Sequence, residues 1–194
     1  AQLKDVKPFE ISSGLQRCQG WKRRNPVVLP EYKECKDAVN SFYFVQVLSE
    51  KLDDKAVIVT DMGTSFTCTM QTFKTKLGQR LSTSSGHASM GFGLPGAIGA
   101  CIGNNRKDTI CISGDGGLQM NIQELQTIVH YNLPIKLFVL NNKGYLTIKA
   151  TQQNHFGRFV GAEQSSGVTC PDIIKIATAY GLPTTRIANT EELN

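Results

Sequence analysis

The stretch that decides the fold is GDGGLQMNIQELQTIVHYNLPIKLFVLNN, residues 114–142. It opens on an acidic glycine turn and closes on two asparagines. Just before it, TICIS (109–113) is a short apolar run with the length of a buried strand. Within it, NIQELQTIVHY (121–131) sets apolar residues at 122, 125, 128 and 129, a helical spacing, and IKLFVL (135–140) reads as a second strand. A right-handed crossover lays two such strands side by side and parallel, with their carboxyl ends on one edge of the sheet. The helix returns by ~16 Å and the second strand runs ~20 Å forward again. Asp115 and Asn142, 27 residues further on, therefore belong together at that edge, where open α/β sheets bind ligands.

The residue types at that edge carry a chemistry. A carboxylate, an amide oxygen and nearby backbone carbonyls make a hard oxygen site, suited to Mg²⁺ completed by phosphate oxygens and water. Gly116 and Gly117 leave backbone N–H groups approachable by a phosphate, and a helix starting near Asn121 adds a partial positive end. The spacing therefore predicts a Mg²⁺-diphosphate site.

The same alternation extends outward. DAVNSFYFVQVLSEKL (37–52) reads as a helix, AVIVT (56–60) as a buried strand, GFGLPGAIGACIG (91–103) as helical after Pro95, and PDIIKIATAYG (171–181) as a helix opened by Pro and closed by Gly. TTRI (184–187) reads as a further strand. Nearly continuous apolar strands between helices imply a doubly wound, mostly parallel α/β sheet with helices on both faces.

Composition narrows the remaining classes. The chain has 194 residues, 40% of them hydrophobic, enough for one ordinary domain with flanking material. No apolar run is long enough to cross a bilayer, so no membrane partner is expected. Six cysteines, at 18, 35, 68, 101, 111 and 170, form no CxxC pair and no zinc spacing, which suits free thiols in a reducing cytoplasm. The net charge is +5, and residues 1–36 hold eight Lys/Arg against four Asp/Glu. That excess, densest at WKRRN (21–25), is a solvated leader and not a basic folded face, so nucleic acid is not an expected partner. Residues 1–36 carry Pro8, Pro26 and Pro30 and no sustained period, and read as an irregular linker or arm from a preceding domain. The domain proper begins at residue 37. Thr190-Glu191-Glu192 looks like the start of a helix, so the chain reads as cut at its C-terminus and as a fragment at both ends.

GDG followed by NN, joined by a helix and a strand at this spacing, resembles the thiamine diphosphate motif. A lone GDG would carry little. The resemblance implies that Asp115, the side-chain oxygen of Asn142 and the main-chain carbonyl of Gly144 ligate Mg²⁺, and that Gly114, Gly116, Gly117, Tyr145 and Leu146 lie against the cofactor. TDMGTSF (60–66) resembles the family's diphosphate-holding turn, with Gly63, Thr64 and Ser65 as donors; taken alone, it is equally a plain helix cap. SSGHASMGFGLPGAIGA (84–100) also matches. By that match the Ala88 carbonyl accepts from the cofactor's amino group, Ser89 lies beside it, and Met90 supports the bent cofactor, which must reach its own reacting carbon. Simple core packing is the other reading of Met90.

Two further patterns compete. Gly91, Gly93 and Gly96 spell GxGxxG, with Asp115 19 residues beyond, an imitation of a nicotinamide-dinucleotide fingerprint. The residues before Gly91, STSSGHAS within 82–89, are polar and turn-like, where that fingerprint needs a strand. His87, His130 and His155 form no catalytic or metal set.

Within the family, the chain is most similar to the C-terminal domain of acetolactate synthase-like enzymes, above all in QMNIQEL (119–125), while GWKRRNPVVLP (20–30) resembles the linker before that domain. NNKGYLTIKATQQNHFGR (141–158) departs from it. The turn is closer to that of pyruvate decarboxylase-type enzymes, yet Ile148 or Lys149 stands where those carry an acidic residue. The implied activity is decarboxylation of a 2-oxo acid with transfer of the acyl unit to a second carbonyl. A 2-oxo acid decarboxylase and a non-catalytic module that kept the fold are the alternatives. The resemblance places the activating glutamate on a pyrimidine-binding domain of a partner subunit, in a homodimer or homotetramer. Neither Glu124 nor Glu163 replaces it, so no catalytic residue is expected in this chain and the fragment alone is expected to be inactive.

Overall fold

The structure is a computed structural model that describes residues 12–193. In chain order its helices and strands are α1 (Ser12–Arg24), α2 (Ser41–Lys51), β1 (Val57–Thr60), α3 (Thr64–Thr72), β2 (Arg80–Ser82), α4 (Gly93–Gly103), β3 (Thr109–Gly114), α5 (Asp115–Met120), α6 (Leu125–Tyr131), β4 (Ile135–Leu140), α7 (Leu146–Phe156) and α8 (Ile173–Ala179). The four strands form one sheet in the order β2-β1-β3-β4, and every pairing is parallel.

Side-chain alternation along the strands divides the core in two. Ile58, Ile110 and Ile112, with Phe138 and Leu140, face α2 and α3, which contribute Phe44, Val45 and Cys68. Val59, Cys111 and Leu137 face the other way, against α4, while α4, α5, α6 and α8 close that side through Leu94, Ile98, Leu118, Leu125, Ile128 and Ile176. β1 and β3 are buried on both faces, which explains their unbroken apolar reading. Each fully buried Ile or Leu here stabilises by roughly 1.5–3 kcal/mol over its exposed state.

Local chemistry sets the helix boundaries. The Asn40 side chain accepts from the N–H groups of Phe42 and Tyr43, so α2 starts at Ser41 and not at Asp37. Asp172 caps α8 in the same way, accepting from Ile174 and Lys175. Pro95 sits in the first turn of α4, where its missing N–H costs little.

Three further expectations need correction. The leader is not irregular throughout: residues 12–24 are helical and Pro30–Lys33 form a 3-10 turn; Pro8 lies outside the described residues. α1 buries none of its residues; Lys22, Arg23 and Arg24 complement its carboxyl end. The crossover helix starts at Asp115 itself, breaks into a 3-10 turn at Ile122–Glu124 and resumes at Leu125, so the helix start lies at the acidic turn and not near Asn121. TTRI does not form a strand. The edge strand β2 and the polar helix α7 were not anticipated. No helix among the described residues is long and apolar enough to span a membrane.

Candidate cofactor and metal site

β3 and β4 pair in register from Thr109 with Ile135 to Gly114 with Leu140, so both strands end level. That register brings the two turns together. The Asp115 carboxylate is buried, and its Oδ2 accepts from the N–H groups of Lys143 (2.6 Å) and Gly144 (3.3 Å). Its Oδ1 accepts from Gly116 N–H at 2.8 Å. The Asn142 carboxamide points into the same space. One of its terminal atoms lies 3.2 Å from Asp115 Oδ1 and 2.6 Å from the Gly144 carbonyl oxygen.

The two orientations of that amide have different meanings. With nitrogen inward, Asn142 donates to both oxygens and ties the turns to each other. With oxygen inward, three oxygens converge with no donor between them. Octahedral Mg²⁺ at 2.0–2.1 Å sets neighbouring ligand oxygens ~2.9 Å apart. The spacings of 2.6 and 3.2 Å from the Asn142 atom to the other two oxygens straddle that value, as two neighbouring ligand pairs of an octahedron would. Among the described residues no group of three or more His, Cys, Asp or Glu could hold a metal ion.

The Asn142–Tyr145 turn is held from outside. Lys143 has φ +60° and Gly144 φ +150°. A Cβ at Gly144 would meet the Ala162 carbonyl oxygen, and Tyr145 N–H donates to that same oxygen at 2.9 Å. Gly144 also forms an isolated antiparallel bridge with Glu163. Glu163 pairs with Lys149, and that ammonium, then the Ser165 hydroxyl, holds its carboxyl below the usual range. Lys149 is thus spent on the loop behind the turn, while Ile148 lines the cleft.

The glycines of the acidic turn make room for protein groups. A Cβ on Gly116 would strike the Tyr145 ring, and one on Gly117 would lie 2.5 Å from Asp61 Oδ2. The GxGxxG pattern resolves the same way. A Cβ on Gly91 would meet Met120 Cβ at 2.7 Å, one on Gly93 the Asp61 Cβ at 2.8 Å, and one on Gly96 the Phe92 ring at 2.9 Å. These are packing glycines, and no strand leads into them.

A cleft opens over the edge, bounded by Gly63 and Thr64 on one side, Met90 above, Gly114 to Gly117 on the floor, and Asn142 with Gly144 to Ile148 on the far side. Gly63, with φ +74°, precedes the first residue of α3, so the N-terminus of that helix opens at the cleft. Ser65 is buried and donates its hydroxyl to Met62 O at 2.9 Å, so that hydroxyl is already engaged within the chain. Ala88 and Ser89 are exposed and lie outside the cleft lining, though Ala88 adopts φ +53°, a left-handed conformation uncommon for a residue with a Cβ. Sequence reasoning missed Met62 and Thr147 in the lining, and also Cys170, whose thiol is raised by burial and then by the nearby Asp115 carboxylate. It missed Asp61 as well, a fully buried carboxylate two residues before Gly63. An aspartate directly after a buried strand was the available signal.

The parallel sheet edge of this α/β domain thus gathers a carboxylate, an amide, a carbonyl and a helix N-terminus around one cleft. Comparison with known proteins specifies it further. Residues 61–194 match the family model described as thiamine pyrophosphate enzyme, C-terminal TPP binding domain. The chain is similar to the acetolactate synthase large subunits of Pyropia yezoensis and Cyanidium caldarium, each 35% identical over 187 residues and covering 96% and 95% of the chain. It is also 32% identical over 191 residues to acetolactate synthase 1, chloroplastic, of Nicotiana tabacum, over 95% of the chain. These alignments span only 28–30% of each relative's length. The chain belongs to the family of C-terminal TPP-binding domains of thiamine pyrophosphate enzymes.

Proposed function

We propose that this chain binds Mg²⁺-thiamine diphosphate in a carboligase of the acetolactate synthase type, which decarboxylates a 2-oxo acid and transfers the acyl unit to a second carbonyl. The observation that carries the reading is that the Asn142 amide lies 3.2 Å from Asp115 Oδ1 and 2.6 Å from the Gly144 carbonyl oxygen in one cleft. When bound, thiamine diphosphate supplies the carbon nucleophile and electron sink for breaking and forming the carbon–carbon bond.

The chain's own residues hold, orient and shield. Asp115, Asn142 and the Gly144 carbonyl supply three ligands for Mg²⁺, leaving the other positions to diphosphate oxygens and water. The turn at Gly63 and Thr64 offers backbone N–H groups to the anionic end, backed by the dipole of α3. Gly114, Gly116 and Gly117 form the floor. Tyr145 and Leu146 wall the far side, and Ser65 acts by shaping the Gly63 turn through Met62. Met90, about 38% exposed at the cleft, supports the bent cofactor from above, with the Ala88 carbonyl and Ser89 in the adjoining loop. Leu146, Ile148, Met62 and Met90 give the mouth an apolar rim that limits water at the reacting carbon.

No side chain here is assigned the catalytic acid or base. The activating glutamate belongs to a pyrimidine-binding domain contributed by a partner subunit of a homodimer or homotetramer, and this chain alone gives no turnover. Six free thiols suit a reducing compartment, so a cytoplasmic location is part of the proposal. The apolar Ile148 in the cleft, and the pairing of Lys149 with Glu163, leave no free acid on that wall to protonate a product; this favours the ligase over the 2-oxo acid decarboxylase. The test is a titration of the full-length protein with thiamine diphosphate, with and without Mg²⁺, followed by assay of CO₂ release and of the ligated product from pyruvate. Binding that needs no divalent ion contradicts the site. Binding without turnover supports a non-catalytic module, and acetaldehyde as the sole product supports the decarboxylase.

A further inference from the structure

The loop from Ser85 to Met90 is exposed at every residue, so packing does not fix it. At one end, Ser84 O accepts from the N–H groups of His87 (3.0 Å) and Ala88 (2.8 Å). At the other end, the backbone of Gly91 is gripped by two side chains from distant elements. Asp61 Oδ1, at the end of β1, accepts from Gly91 N–H at 3.0 Å. Asn121 Nδ2, after α5, donates to the Gly91 carbonyl at 2.9 Å. The grip closes so tightly that a Cβ at Gly91 would lie 2.9 Å from that same Nδ2, at a backbone φ of +83°.

Asp61 does more than hold Gly91. Its Oδ1 also accepts from Met62 N–H at 2.8 Å, and its Oδ2 accepts from the Ser113 hydroxyl at 2.8 Å. One buried carboxylate therefore bonds the segments that carry three walls of the cleft: Met62 beside Gly63 and Thr64, Gly91 beside Met90, and Ser113 beside Gly114 and Asp115. Three hydrogen bonds to one buried side chain tie these segments to a single point.

We infer that Asp61 and Asn121 are positioning residues that clamp the Gly91 peptide and thereby hold the Ala88–Met90 loop against the ring end of the cofactor, while leaving the diphosphate end to other groups. The inference rests on the cofactor reading given above. Neither side chain lines the cleft. They act through Gly91, and the chemistry of the clamp is directional: Asp61 must accept and Asn121 must donate.

The test uses the full-length protein and four forms: parent, Asn121→Ala, Asn121→Asp and Asp61→Asn. Asn121→Asp keeps the shape but turns an acceptor toward the Gly91 carbonyl. Asp61→Asn can still accept from Met62 and Gly91 while donating to the Ser113 hydroxyl, so it should rescue. Amide hydrogen exchange over residues 85–91, measured without cofactor, should quicken by about tenfold in both Asn121 variants and stay near the parent rate in Asp61→Asn. The dissociation constant for thiamine diphosphate should rise about tenfold in the Asn121 variants, while that for Mg²⁺-pyrophosphate, which has only the anionic end, changes by less than about twofold. Unchanged exchange in both Asn121 variants overturns the clamp. Equal weakening of both ligands also overturns it, because that is general damage. A parent protein that binds neither ligand sinks the cofactor reading, and the exchange measurement still decides separately whether Asn121 holds the loop.

Discussion

The backbone N–H of Lys143 donates to Asp115 Oδ2 at 2.6 Å, joining the turn after β4 to the turn after β3. That bond, with the Gly144 N–H at 3.3 Å, occupies one carboxylate oxygen, while the other accepts from Gly116 N–H and lies 3.2 Å from the Asn142 amide. The carboxylate thus fastens two loops, and in the proposed site it also serves as a metal ligand.

Replacing Asp115 with Ala removes both roles. Metal-dependent binding of thiamine diphosphate by the full-length protein should fall by at least about a hundredfold, as expected for loss of a charged ligand, and the Asn142–Tyr145 turn should loosen. Titration calorimetry at fixed Mg²⁺ checks this, and unchanged affinity removes Asp115 from the site.

Gly116→Ala puts a methyl group into the Tyr145 ring, so Tyr145 must move out of the far wall. The expected cost is about 1–3 kcal/mol of stability, from overpacking. In the double variant with Tyr145→Ala that cost should largely disappear. Denaturant melts of the four forms provide the cycle; additive losses would show that the ring is not the obstacle.

Gly144→Ala faces two penalties, a backbone φ of +150° and the Ala162 carbonyl oxygen against its Cβ. The loss should be about 2 kcal/mol or more, with the Tyr145-to-Ala162 hydrogen bond broken. A melt indistinguishable from the parent would contradict the packing of residues 162–163 on this turn.

The Lys149–Glu163 pair gives the loop behind the turn a pH dependence. Its carboxyl is depressed below the ordinary 4.5 by the Lys149 ammonium and the Ser165 hydroxyl. The pair therefore steadies residues 157–168 at pH values above 4.5, and the effect fades as pH falls through the lower folded-state value. Hydrogen exchange in this segment, corrected for intrinsic rates, should rise on going from pH 6 to pH 3 in the parent. It should be insensitive to that change in Glu163→Gln.

Much of this was legible in the residues themselves. The strands β1, β3 and β4 betray themselves as apolar runs, and the meeting of Asp115 with Asn142 follows from crossover geometry alone. β2 stayed hidden because an edge strand of three residues with exposed ends has no pattern to show. α7 buries nothing and has no apolar period, so its residues gave no helical signal. The glycines of the acidic turn were legible as small but not as neighbours of Tyr145 and Asp61, because those contacts join residues 29 and 56 positions apart. Asp61 was missed for the same reason: its partners are Gly91 and Ser113, and nothing local links them.

The most direct measurement is a crystal structure of the full-length protein with Mn²⁺ in place of Mg²⁺ and thiamine diphosphate, read through the anomalous signal of the metal. The account predicts one peak about 2.0–2.3 Å from the Asp115 carboxylate, the Asn142 amide oxygen and the Gly144 carbonyl, with the diphosphate on its open side. A peak elsewhere, or an Asn142 amide still turned with its nitrogen toward Asp115 while cofactor is bound, would contradict it.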